Sequence, residues 1–116
     1  MISLFEIIFY ETENKKKPVE DFLNDLDIKM KRKALQEIKL LQECGNSLKE
    51  PYSKHIQDGL FELRIKQSSN ISRIFYFFYI EKKIILVSGF VKKTQKTPPS
   101  EIKKALEYKK DYERRF

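Results

Sequence analysis

Arg64, Arg73 and the lysines at 92, 93 and 96 carry the chemistry most readily read from this chain, because each can meet the negative charge of a phosphate. The run from Leu60 to Lys66 reads as a strand, so Phe61, Leu63 and Ile65 point one way and Glu62, Arg64 and Lys66 the other. On the neighbouring strand Arg73 shares a face with Phe75, Phe77 and Tyr79, which sets an arginine at the edge of an aromatic row. The next strand runs into Lys92 and Lys93, with Lys96 soon after, where the sheet gives way to a last helix. If these cations share one face, they form a positive cleft fit for RNA, and they stabilise a phosphorane-like transition state by charge. Arginine stays protonated and cannot be a base. A lysine crowded by other cations is driven toward neutrality, so Lys93 is a candidate for proton transfer, and the base itself stays unassigned.

Other chemistries find little support. His55 is the only histidine, which rules out a two-histidine acid–base pair and leaves it as a candidate proton donor in a loop. Neither a phosphate-cradling glycine loop nor a Gly-x-Ser-x-Gly turn is present, and no metal or cofactor is expected. Glu62 reads as a charge partner of Arg64 rather than a base, and the Phe75, Phe77, Tyr79 row reads as core. Cys44 stands alone, so no internal disulfide can form and a reducing compartment is expected.

The elements that must position these residues follow from hydrophobic spacing. Residues 2–10 predict a first strand, closed by the polar cluster 13–17. Pro18 suits the opening of a helix with Val19, Phe22, Leu23 and Leu26 on one face, and Asp27 caps a second helix whose stripe is Ala34, Leu35, Ile38 and Leu41. Gly45 ends that helix. Strands over 60–66, 71–79 and 84–91, joined by short polar segments, predict an antiparallel meander, with 74–80 apolar on both faces as in a central strand. Thr97 and the two prolines after it predict the cap of a terminal amphipathic helix with a basic outer face. The expected fold is one α+β domain, a two-helix hairpin packed on a twisted antiparallel sheet, in the order β-α-α-β-β-β-α.

Length and charge agree with that picture. The 116 residues suit one domain, and 41% hydrophobic residues with nine Phe and six Tyr can supply its core. A net charge of +7 favours a polyanionic partner, nucleic acid first. The N-terminal stretch lacks a basic leader and meets Glu6 early, and the longest apolar run, 74–80, is far shorter than the roughly 20 residues that span a bilayer. Neither export nor a membrane partner is expected, and the cytoplasm is the expected location.

The segments Gly59 to Arg64, Ser72 to Phe78 and Gly89 to Pro98, an E-L-R strand, an R-I-F-Y strand and an F-V-K-K-T-Q-K-T-P turn into a helix, resemble the HigB branch of the RelE toxin superfamily. The resemblance covers most of the chain. It implies a helix pair laid across a twisted antiparallel sheet, and the toxin of a type II toxin–antitoxin system that cleaves ribosome-bound mRNA. The implied partners are the ribosome and its mRNA, a helix-turn-helix HigA-like antitoxin and, through that antitoxin, operator DNA. Arg73 matches the strand arginine that contacts the scissile phosphate, Arg64 a basic residue on the strand before, and Lys93 the basic residue after the last strand. By the same resemblance Lys92, Lys96 and Lys66 are candidates for RNA binding with His55, and Tyr108 or Tyr112 replaces a C-terminal tyrosine used by some relatives. Glu62 departs from the pattern, since RelE itself has a lysine there. Two other readings stay open: a ParE-like gyrase poison, which shares the fold, and a non-catalytic nucleic-acid-binding module.

Overall fold

The computed structural model describes residues 4–93 and 96–116. Five strands and three main helices follow in the order β1 (Glu6–Phe9), α1 (Pro18–Asp25), α2 (Ile28–Cys44), β2 (Ser53–Gln57), β3 (Leu60–Gln67), β4 (Asn70–Tyr79), β5 (Lys83–Val91) and α3 (Pro99–Arg115). The α+β architecture with a helix pair on a sheet is the one expected. Of the predicted first strand, Ile2 and Ser3 lie outside the described residues, as do Thr94 and Gln95 of the turn motif.

The sheet order is β1-β5-β4-β3-β2, so β4, apolar on both sides, takes the centre. The meander β3-β4-β5 is antiparallel. Two features go beyond the expected sheet. β1 pairs with β5 in parallel, because the helix pair carries the chain back across the sheet before β2 begins. β2 is an extra edge strand over Ser-Lys-His-Ile-Gln, too polar for hydrophobic patterning to reveal, and it pairs only with Leu60 to Leu63 of β3.

Both faces of the sheet are covered. α1 and α2 lay Val19, Leu23, Met30, Ala34, Ile38 and Leu41 on Leu63, Ile65, Ile74, Tyr76, Ile84 and Leu86. α3 lays Ala105 and Tyr112 on Phe75, Phe77, Ile85 and Val87. Asp27 caps α2 as the sequence predicts, Oδ1 accepting the Met30 amide at 2.8 Å. Gly45 ends it at φ +56°, where a Cβ would stand 2.0 Å from the Phe5 ring, so both backbone and packing require glycine. Thr97 does not cap α3. The capping position is Pro98, and the Thr97 hydroxyl turns inward instead. Among the described residues no helix is long and apolar enough to cross a membrane.

Candidate functional site

β3 and β4 pair so that Arg64 stands directly opposite Arg73, and Glu62 opposite Phe75. The alternation that sends Ile74 and Tyr76 into the helix-pair core sends Arg73, Phe75 and Phe77 to the α3 face. Phe75 and Phe77 are fully buried there, so the aromatic row is core, and the charged residues continue the same face.

Glu62 sits at the centre. Only 2% exposed, it forms an ion pair with Arg73 through Oε1 and Nε, while its Oε2 accepts the Thr97 hydroxyl at 3.0 Å. Arg73 also donates from Nη1 to the Ser72 carbonyl at 3.1 Å, which fixes the plane of its guanidinium. Burial pulls Arg73 below its ordinary pKa and Arg64 adds to the effect, while Glu62 opposes both. Arg64 is half-buried and reaches the exposed Glu50 at 3.3 Å, and its buried Nε has no hydrogen-bond partner among the described residues. A buried guanidinium N–H left open beside a second arginine is a donor suited to an anion.

A β-bulge decides which lysine joins them. Tyr76 pairs with Leu86 but Phe75 pairs with Ser88, so Val87 is an extra residue in β5. Before the bulge the α3 face of β5 carries odd-numbered residues such as Ile85; after it, Ser88 opposes Phe75 and Phe90 opposes Arg73. Lys92 continues that series, its amide bonded to the Ile71 carbonyl at 2.8 Å. Burial lowers the Lys92 pKa, and the charges of Arg73, Arg64 and Lys54 lower it further against the pull of Glu62. Lys93 falls out of step with this face and is exposed, so the lysine gathered with the arginines is Lys92 rather than Lys93.

Lys54 completes the group and is absent from the sequence-based candidates. It pairs with Glu62 across β2 and β3 and therefore faces the same side. The alternation of Ser53, Lys54 and His55 is the signal that could have found it, once β2 is known to be a strand.

Other candidates lie elsewhere. His55 pairs with Phe61 on the helix-pair side, with their rings 5.1 Å apart, and its Nε2 accepts the Gly59 amide at 3.3 Å. The sheet thus separates it from both arginines. Tyr112 is 6% exposed, packed edge-on against Phe77 and Tyr79, and Tyr108 stands 4.8 Å from Tyr10. Both rings serve the packing of α3, so neither is brought to the cations. Lys66 is exposed two positions beyond Arg64 on the same face, and Lys96 is exposed just before Thr97. Among the described residues, no three His, Cys, Asp or Glu side chains gather as a metal site requires.

Glu62 is thus a buried carboxylate lying among two arginines and two lysines, Lys54, Arg64, Arg73 and Lys92. The family model described as phage derived protein Gp49-like (DUF891) matches residues 21–110, which include β2 through β5 and most of α3. No curated protein matches the chain.

Proposed function

The chain belongs to the Gp49-like phage-derived family, a RelE-like and toxin-like family, and from that premise we propose that it is a ribosome-dependent endoribonuclease that cuts messenger RNA and halts translation. Membership of a toxin family implies a cognate antitoxin. The finer reading makes that antitoxin a HigA-like helix-turn-helix protein, with the toxin acting in the cytoplasm. The observation that most supports the nuclease reading is the gathering of Lys54, Arg64, Arg73 and Lys92 around the buried carboxylate of Glu62.

In this mechanism the scissile phosphate displaces Glu62 from Arg73 and bridges Arg73 and Arg64. The RNA 2′-oxygen attacks phosphorus and loses its proton as the bond from phosphorus to the 5′-oxygen breaks. A 2′,3′-cyclic phosphate and a 5′-hydroxyl result, the latter taking up a proton. The two guanidinium groups stabilise the extra negative charge of the transition state. Lys92, whose charged form burial and neighbouring cations disfavour, takes the proton-transfer role that the sequence reading gave to Lys93. Positioning of the message by the ribosome supplies alignment.

The test is primer extension on a message translated in a cell-free extract. The intact protein should produce discrete cuts that require translation. Arg73→Gln combined with Glu62→Gln, which removes both charges of the buried pair together, should abolish them. Undiminished cutting by that double variant refutes the assignment. Inhibition of gyrase supercoiling without any mRNA cut places the chain with the gyrase poisons instead.

A further inference from the structure

Beyond Leu63 the edge of β3 is no longer covered by β2, and a cleft of about 430 Å³ opens there. Lys33 of α2, Arg64 and Lys66 of β3, and Arg73 of β4 line it together with Pro51 and Tyr52 from the turn before β2. The acid on its wall, Glu37, is ion-paired with Lys33 at 3.7 Å, so the cleft remains cationic. Its volume falls within the roughly 300–1,000 Å³ typical of small-ligand sites.

Tyr52 is unlike the other tyrosines near charge. Tyr10, Tyr76 and Tyr112 are buried, whereas Tyr52 is 45% exposed and lines this cleft. Its backbone is tied at both ends, the amide donating to the Lys49 carbonyl at 3.0 Å and the carbonyl accepting the Arg64 amide at 2.8 Å. The ring is therefore held beside the arginine pair on a fixed backbone, which lowers the entropy lost on stacking. The other exposed Phe or Tyr side chain among the described residues, Phe116, already stacks on Tyr112 with centroids 4.6 Å apart.

We propose that Tyr52 is the platform on which a nucleobase stacks, so that the cleft takes a single-stranded ribonucleotide with its phosphates on Arg64, Lys66 and Arg73. An aromatic ring accepts a base face only from an unpaired strand, which selects splayed single-stranded RNA over duplex. The proposal rests on the RNA reading above and replaces the C-terminal tyrosines, whose rings are committed to packing.

Two measurements on the full chain test it. The first is a fluorescence titration with a single-stranded RNA hexamer carrying 2-aminopurine, alongside an abasic ribose-phosphate hexamer of equal length. The second is mRNA cleavage in the translating extract. Tyr52→Ala should weaken binding of the base-bearing hexamer roughly tenfold and slow cleavage, while the abasic hexamer binds within about twofold of the unaltered protein. Tyr52→Phe, which keeps the ring, should restore the binding that Tyr52→Ala loses. Equal affinity of Tyr52→Ala and the unaltered protein for the base-bearing hexamer, or an equal loss for both hexamers, overturns the stacking role. If the unaltered protein neither binds the hexamer nor cuts mRNA, the RNA reading fails and the stacking role fails with it. If it cuts mRNA and Tyr52→Ala cuts equally well, only the stacking role is lost.

Discussion

Arg64 and Arg73 stand directly across from one another on adjacent antiparallel strands, two like charges at paired positions of one sheet face. Like charges so placed repel, and at Arg73 the pull of the neighbouring Glu62 is larger than the push of Arg64. Arg73 is therefore held against its like-charged neighbour by Glu62.

That repulsion is measurable. Arg64→Met should stabilise the protein by up to about 1 kcal/mol in urea unfolding, and should lower mRNA cleavage by roughly 10²-fold or more. A stability loss greater than about 1 kcal/mol would show that the pairing with Glu50 outweighs the repulsion from Arg73.

Arg73→Ala alone is a poor probe of function, because it strands Glu62, 2% exposed, without its partner. Breaking a buried pair from one side costs about 3–5 kcal/mol, whereas replacing both members with apolar residues is often neutral. Arg73→Ala should therefore unfold at much lower urea than the parent, and Glu62→Leu added to it should recover most of the loss. If the two substitutions simply add, the pair is not coupled.

The bulge at Val87 makes adjacent lysines unequal. Lys92→Gln should reduce cleavage strongly, since Lys92 feels both arginines, and Lys93→Gln should reduce it far less. Stability adds a second readout. A lysine whose folded pKa is lowered costs stability below that value while it carries its charge, and the cost is lost as pH rises through it toward 10.5. Lys92→Met should therefore be more stable than the parent at neutral pH, with the gap closing toward pH 10.5. Equal cleavage defects for the two glutamine variants would remove the distinction.

At the other end of the α3 face Tyr10, 2% exposed, donates its hydroxyl to Asp111 at 2.6 Å, and burial together with that carboxylate pushes its pKa up to about 12. Since the folded value lies above the ordinary 10.0, this contribution to stability is intact below pH 10 and is lost as pH rises through about 12. In an absorbance titration of tyrosinate, Tyr10→Phe should remove the highest-pH component. Alkaline unfolding of that variant should respond less steeply to pH between 10 and 12. A titration curve unchanged at high pH would mean that Tyr10 ionises with the other tyrosines.

Local pattern was enough for several features. The apolar stripe from Ala34 to Leu41 declares α2, the Asp27 cap and Gly45 mark its ends, and period-two alternation sets Arg64 with Glu62 and Arg73 with Phe75 and Phe77, because each of these depends on neighbours within one element. Which cations meet is a matter between elements. Lys54 enters only because a polar stretch pairs with β3, Lys92 displaces Lys93 only because one extra residue in β5 inverts its alternation, and His55 is lost because its strand turns it to the opposite side. The tyrosines are placed by the same kind of contact: α3 needs Tyr112 for its packing, while Tyr52 is left beside the cleft. Register, bulges and the covering of one layer by another are set by contacts far apart in the chain, so only the assembled sheet decides them.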